Sequence, residues 1–589
     1  MRTFMKLPIG QSDFKKIIDQ KYNFVDKTLF IKEIIDEPAA VILITRPRRF
    51  GKTFNLSMLK YFFAEDVNSI PTQGLFEGLK ISRESVYAEY QGQHPVVSLS
   101  FKDVKEDNFA SAYKEIYSII IDLYEEFSYL QESASLSKTQ KDFYNRILTR
   151  EADETDLAKS LKSLTEYLFF HHRQQPIVLI DEYDTPIHAG YLNGFYDEIV
   201  TFFRKFFSKG LKDNTLLHKA VLTGILRVSR ESLFSGLNHL DVFSVLSPRY
   251  SSYFGFTEPE VIELLTQAKM EEKLIEVKDC YNGYHMGKTT LYNPWSIINF
   301  IQKGGILQPY WVNTSDNDLI KTLLSKSSVS FKDTFEALLQ GNVLEKLIDE
   351  NIVFSDENIV FSDLKTNNPT SIWSLFLMTG YLTTLKHHLT PQGSLCTLSI
   401  PNKEVSFLFQ RIIEQWFSGD YGLDWYNEFL DYLLTGNIER FSQELKQLME
   451  LTVSVHDTGR SPEAFYHGLM VGLTASLHAS PVYEIKSNRE SGSGRYDYAI
   501  ISREAQKLSI IMEFKQVKEP EGRTLSDSEM TELLKKTAET ALAEISEKSY
   551  CTEIKQRGLT RVLKIGLAFS GKKFCLVHVL SGVSDKDSV

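Results

Sequence analysis

Ala40-Val41-Ile42-Leu43-Ile44-Thr45-Arg46-Pro47-Arg48-Arg49-Phe50-Gly51-Lys52-Thr53 is the stretch on which the fold turns. Ala40–Thr45 is apolar throughout, as befits a strand covered on both faces of a parallel sheet. Helical periodicity follows over Phe54–Phe63. A buried strand that enters a helix through Gly-Lys-Thr supplies the parts of a phosphate-binding loop. Backbone N–H groups converge on phosphate oxygens, a Lys reaches the β/γ oxygens and a hydroxyl serves Mg²⁺. Gly51, Lys52 and Thr53 take those places. Arg46 stands where the generic pattern has its first Gly, and Pro47 stiffens the turn that this Gly would otherwise make. The basic run Arg46–Arg49, with Arg46 and Arg49 as nucleotide contacts, adds charge around a triphosphate or packs and salt-bridges at the base of the loop, and a mixed role is expected.

Further strands are expected at Val96–Phe101, Ile177–Ile180 and Ala220–Thr223, each separated from the last by a long segment of helical periodicity. Short apolar strands with helical crossovers predict an α/β domain with a parallel sheet over residues 1–255. Ile177–Ile180 runs into Asp181-Glu182. That places Asp181 to hold the Mg²⁺ shell and Glu182 to polarise an attacking water. Thr223, ending another strand, is positioned to sense a γ-phosphate. Arg227 and Arg230 follow as phosphate contacts or as surface ion pairs.

Phe24-Val25-Asp26-Lys27-Thr28, the Arg46–Thr53 loop and Ile180-Asp181-Glu182-Tyr183-Asp184 together resemble the AAA-ATPase-like family, mainly bacterial predicted ATPases. Arg-Pro-Arg-Arg-Phe-Gly-Lys-[Ser/Thr] is the hallmark loop of that family, and the missing first Gly is normal there. The resemblance extends to Tyr292-Asn293-Pro294-Trp295-Ser296, Thr379-Gly380-Tyr381-Leu382 and Ile400-Pro401-Asn402. It implies ATP as ligand and a P-loop, ASCE/AAA-like sheet.

Beyond residue 255, Thr257-Glu258-Pro259-Glu260 reads as a capping box opening a helix through about Lys269. Residues 256–320 are expected to form a small turn-rich lid or winged-helix-like subdomain, and 321–455 a helical middle region. Residues 456–589 read as a separate unit of α-β-β-β-α-β order. Within it Gly494-Arg495-Tyr496-Asp497 opens one strand and Ile511-Met512-Glu513-Phe514-Lys515 ends the next. Period-two alternation puts Glu513 and Lys515 on one face, beside Asp497. Two close carboxylates bind Mg²⁺, which activates water, and a neighbouring Lys neutralises a pentavalent phosphorus. A carboxylate at the end of so apolar a strand needs a partner or a metal.

This arrangement resembles the PD-(D/E)xK nuclease superfamily, a domain that AAA-ATPase-like proteins commonly carry at the C-terminus. Tyr496 replaces the usual Pro. The further carboxylate often supplied by the first helix is sought in Glu463, with Glu484 on the first strand as competitor. His467 reads as a packed histidine rather than a ligand.

Composition bounds the function. A chain of 589 residues exceeds a single core and implies several domains. Its 42% hydrophobic and 24% charged residues exclude wholesale disorder and fibrous folds. A net charge of −11 excludes a globally basic nucleic-acid coat and leaves room for a local basic groove. No apolar run approaches the roughly 20 residues of a membrane span, and no signal peptide is visible. Cys280, Cys396, Cys551 and Cys575 form no CxxC pair, which argues against a disulfide framework or a cysteine-rich zinc site. The expectation is a cytoplasmic, ATP- and Mg²⁺-dependent regulatory ATPase fused to a nuclease-like domain acting on nucleic acid, DNA in the first place. Defence or mobile-element processing is the setting that this domain pairing suggests. The alternative is an ATP-driven switch or scaffold that binds nucleic acid without cutting it. Self-association is left open.

Overall fold

The computed structural model describes residues 5–227, 240–311, 338, 341–350, 370–391, 393–418, 422–452, 470, 474, 477, 480–491, 494–517, 525–547, 551–570 and 573–582. Arg230, Glu463 and His467 lie outside these residues, as does most of the helix expected over Pro462–Leu477. The chain divides into two compact units, Met1–Leu323 with Val343–Val405, and Leu324–Asn342 with Ser406–Val589. Among the described residues no helix is long and apolar enough to cross a membrane.

The first unit is built on the strand that opens the loop. Val41–Thr45 is buried at every position and lies inside a five-stranded, all-parallel sheet. Its order is Val96–Ser100, Ile177–Asp181, Lys219–Gly224, Val41–Thr45, Leu240–Phe243. Leu240–Phe243 is a strand that sequence reading missed, because it is short and only its last residue is buried. The carboxylate strand Ile177–Asp181 is separated from the loop strand by one neighbour, Lys219–Gly224. All three end at the same edge, with Thr45 beside Gly224 and Ile180 beside Leu222. Open α/β sheets bind ligands outside the carboxyl ends of their strands, where strand order reverses. The loop strand stands at that reversal.

The capping box forms as expected, with Glu260 accepting from the Thr257 amide at the head of helix Glu258–Ala268. This helix, Leu274–Tyr281 and Pro294–Gln302 share a core with Leu7 from the start of the chain, and the hairpin Tyr284–Met286/Thr289–Leu291 joins them. The stretch expected to be mostly helical after residue 320 carries helices Thr370–Thr379, Lys403–Ser418, Gly422–Thr435 and Ile438–Thr452, and its described residues hold strands as well. There Leu344–Ile348, Gly393–Ser399 and Thr383–Thr390 form a three-stranded antiparallel sheet in that spatial order.

The helices Gly422–Thr435 and Ile438–Thr452 are not a middle region apart from the C-terminal sheet. Their Phe429, Leu433, Phe441 and Leu445 pack in one core with Ile510, Met512, Phe514, Ile565 and Leu567. That sheet runs Tyr483–Ser491, Gly494–Ser502, Ser509–Gln516, Arg561–Ser570, Lys573–Gly582 in spatial order, antiparallel except for the parallel third–fourth pair. A parallel neighbour needs a crossover, and helix Asp527–Glu547 provides it.

Gly566 is where this helix meets the sheet. A Cβ there would stand 2.2 Å from the Ala538 carbonyl oxygen and 2.6 Å from the Leu542 nitrogen. Gly566→Ala is therefore expected to destabilise this unit by about 1–3 kcal/mol or more through overpacking against backbone. A lowered melting temperature in a calorimetric scan checks it.

Candidate functional site

The loop after Val41–Thr45 turns through two left-handed residues, Arg49 at φ 66° and Gly51 at φ 87°, before helix Lys52–Phe63 begins. Lys52 Nζ folds back to donate to the carbonyls of Arg46 at 2.9 Å and Pro47 at 3.0 Å. Burial pushes its ammonium below the ordinary lysine range, while the charges of Glu182, Asp181 and Asp184 pull the other way. Thr53 Oγ1 donates to Asp181 Oδ2 at 2.6 Å, and Thr223 Oγ1 donates to Asp181 Oδ1 at 2.6 Å. Two strand ends and the first turn of the helix thus meet on one carboxylate. The set is made of hard oxygen donors, which suits Mg²⁺ at Thr53 and Asp181. Glu182 turns out of the strand with φ 50° and lines the same cavity as Gly51, Lys52 and Thr53.

That cavity holds about 490 Å³, within the range of small-molecule sites. Its lining combines the cations Arg48, Arg49, Lys52 and Lys102 with apolar side chains such as Pro8, Phe24 and Ile298. Arg49 lies over the Trp295 ring at 4.6 Å, a cation–π contact worth about 0.5–1 kcal/mol at an exposed site.

Arg46 is a correction. Its guanidinium is buried and donates to the carbonyls of Thr45, Phe243, Ser244 and Arg249, so it braces the loop from beneath instead of reaching the cavity. Arg227 is half-buried and is not among the cavity's lining residues.

Other motifs converge on the loop. A Cβ at Gly380 would press on Pro47 Cβ at 2.9 Å, and the Trp311 indole donates to the Arg48 carbonyl at 3.1 Å. Asp184, missed in the sequence, accepts from the amides of Ile225 and Leu226 at 2.8 Å each and so pins the segment that follows Thr223. Asp184→Ala would strand two buried amides, and a loss of about 3 kcal/mol is expected, measurable by denaturant unfolding.

In the second unit, alternation puts Asp497, Glu513 and Lys515 on the face that bears Ala499, Ile511 and Val517, the face covered by helix Asp527–Glu547. Their opposite-parity neighbours Tyr498, Ile500, Met512 and Phe514 enter the other core. The ladder between the two strands ends at Tyr498–Met512, and beyond it Asp497 Oδ2 accepts the Phe514 amide at 2.7 Å. A side chain thus replaces a ladder bond where the two strands part.

Glu513 is buried, its Oε2 has no hydrogen-bond partner among the described residues, and its Oε1 is 3.5 Å from Lys515 Nζ. Burial first, and the Asp497 charge second, push its carboxyl up to about 7. Lys515 Nζ also donates to Glu544 Oε2 at 3.1 Å. Burial lowers the Lys515 ammonium, but the surrounding carboxylates Glu544, Glu513 and Asp497 outweigh it and leave the pKa raised.

Glu544 is a site neighbour that sequence reading missed. It flanks the buried stripe Ala538, Ala541, Ile545 of its helix, and that stripe was the available signal. Glu484 is not in the cluster. It pairs with Arg557 at 2.6 Å and Lys486 at 3.4 Å, and the Arg557 hydrogen bond lowers its pKa. Among the described residues no group of three or more His, Cys, Asp or Glu side chains is arranged to hold a metal ion. The Glu513 oxygen without a partner among those residues fits a divalent ion.

A parallel sheet with its loop strand one place from its carboxylate strand defines a P-loop α/β domain. The second sheet, with its Asp, Glu and Lys on one face, has the make-up of a nuclease domain. Residues 8–234 match the family model of the predicted AAA-ATPases, and residues 461–579 that of the PD-(D/E)XK nuclease superfamily. The chain thus carries a predicted AAA-ATPase domain followed by a PD-(D/E)XK nuclease-superfamily domain. It is 29% identical over 325 residues to an uncharacterized protein in the vnfD 5' region of Azotobacter chroococcum mcd 1, a match covering 54% of this chain and 56% of that relative. The match thus spans little more than half the relative's length. Among solved structures, the Walker-type ATPase PABY2304 of Pyrococcus abyssi aligns at 13% identity over 65% of this chain and 94% of its own, with a TM-score of 0.33.

Proposed function

We propose that the protein is a nucleotide-controlled, Mg²⁺-dependent nuclease of the cytoplasm acting on DNA, its N-terminal domain binding and hydrolysing ATP. The observation that carries the nuclease half is the buried Glu513 oxygen, without a partner among the described residues and set beside Asp497 and Lys515 on one sheet face. In the ATPase half, Lys52 gives up two loop carbonyls to meet the β/γ-phosphates, and Gly51 leaves the backbone open for their approach. Glu182 accepts the proton of the attacking water, and Thr223 holds Asp181 in place. A divalent ion bound at Thr53 and Asp181 supplies charge neutralisation to the transferring phosphoryl group. In the C-terminal domain Asp497 and Glu513 would hold the metal, which would supply charge to activate a water. Lys515 balances the negative charge that builds on the scissile phosphate.

The test is cleavage of supercoiled plasmid and of oligonucleotides by the full chain, with Mg²⁺ or Mn²⁺ and with or without ATP. Divalent-dependent nicking is the expected result. No cleavage of DNA or RNA in any condition overturns the nuclease reading. A second reading, binding without cutting, is favoured by one feature. The Lys515 ammonium lies within reach of both Glu513 and Glu544, where it partly neutralises the acids that a metal would need.

A further inference from the structure

Arg49 differs from Lys52 and Arg46 in its partners, and from Arg48 in lying over an aromatic ring. Lys52 is engaged by two carbonyls and Arg46 by four. Among the described residues Arg49 forms no ion pair or side-chain hydrogen bond, and its guanidinium lies over the Trp295 ring at 4.6 Å. It is exposed, it lines the nucleotide cavity, and its backbone is held at φ 66°. Trp295 is fixed from behind. Its indole donates to the Tyr310 carbonyl at 3.2 Å, and its helix is capped by Asn293, which accepts from the Ser296 amide at 3.2 Å.

A weakly held guanidinium beside a fixed aromatic face is poised to leave it for a stronger anion, because charge-assisted bidentate bonds to phosphate exceed an exposed cation–π contact. We propose that Arg49 rests on Trp295 in the nucleotide-free protein and moves to the terminal phosphate when ATP binds, serving in cis as the arginine that ATPases often receive from a partner. The inference rests on the reading of this cavity as an ATP site. Hydrolysis breaks the bond from the γ-phosphorus to the bridging oxygen, whose electron pair stays with ADP, and forms a bond to the water oxygen. The water's proton passes to Glu182. Arg49 meets the charge that gathers on the bridging and γ oxygens, and a diphosphate offers it no such target. Trp295 is then a positioning residue, and its fluorescence reports which place Arg49 occupies.

The experiment uses the full chain with a non-hydrolysable ATP analogue, ADP and Mg²⁺. The chain has five tryptophans, so a Trp295→Phe variant assigns the Trp295 share of the emission. The analogue is expected to change that share and ADP to leave it near the nucleotide-free value. Arg49→Ala should lower kcat for ATP by about 100-fold or more, change ADP affinity less than about 3-fold, and remove the analogue-dependent emission change. Arg49→Gln keeps the side chain's length without its charge and should repeat the result where the Ala variant folds poorly. Arg49→Lys should fall between, since a point charge replaces a fork. Equal emission changes with analogue and ADP, no change with either, or wild-type turnover in Arg49→Gln overturns the proposal. A wild-type protein that binds no nucleotide overturns the ATP-site reading and this inference with it. Turnover that persists without Arg49 overturns only the inference.

Discussion

Lys52→Ala is expected to abolish measurable nucleotide binding, and Glu182→Gln to preserve binding while slowing turnover by about 10²- to 10⁴-fold. The first follows from geometry. Lys52 Nζ is held at the turn by the carbonyls of Arg46 and Pro47 and lines the cavity, so on the proposed reading it leaves them to meet the phosphate oxygens. Its three acidic neighbours also lose their compensating charge when it is removed, which repels an incoming triphosphate further. The second follows from the bond that Glu182 can and cannot make. A Gln fills the same space at φ 50° but does not accept a proton, and general-base catalysis contributes about 10²–10⁴ in rate. Isothermal titration with a non-hydrolysable ATP analogue and a phosphate-release assay separate the two. Tight binding by Lys52→Ala, or unchanged turnover in Glu182→Gln, removes the roles given to these residues.

What was legible in the sequence was whatever the chain places side by side. Thr45 through Thr53 is one continuous strand–loop–helix, so Gly51, Lys52 and Thr53 were found where the structure has them. Asp181 and Glu182 end a strand whose apolar run announced it. Arg46 misled because a missing Gly at the head of the loop invited a role toward the phosphates. Burial instead turns its guanidinium to the carbonyls of Phe243 and Ser244, which belong to a strand end too weakly patterned to be read.

Asp184 was hidden for a different reason. Its partners are the backbone amides of Ile225 and Leu226, and amides leave no mark in a sequence. Glu544 reaches Lys515 across 29 positions by way of a crossover helix, so only the docking of that helix over Gly566 brings it in. The hairpin Thr383–Thr390/Gly393–Ser399 was passed over inside a stretch read as helical, although Thr390-Pro391-Gln392-Gly393 is a turn signal.

Glu513→Gln is expected to lose divalent-dependent cleavage and yet to raise the stability of the C-terminal unit above pH 7. The sign follows from the carboxyl being pushed up to about 7 from an ordinary value of 4.5, first by burial and then by Asp497. Between those two values the folded chain holds a proton that the unfolded chain has released. Stability therefore falls as pH rises through the window, and the deficit persists above it. Gln removes the titration, so the variant's melting temperature should be flat across the window and exceed the wild type's at pH 8. The two proteins should converge near pH 4. A metal does for the wild type what the proton did, since binding only the folded state adds stability by mass action. Mg²⁺ or Mn²⁺ should then raise the wild-type melting temperature at pH 8, but not that of Glu513→Gln or Asp497→Ala. Lys515→Ala should keep the metal-induced rise, because the lysine opposes the ion, while cleavage falls by about 100-fold or more. A purely structural Glu513 would show neither the metal-dependent rise nor its loss, and a wild type indifferent to divalent ions at pH 8 removes the metal site.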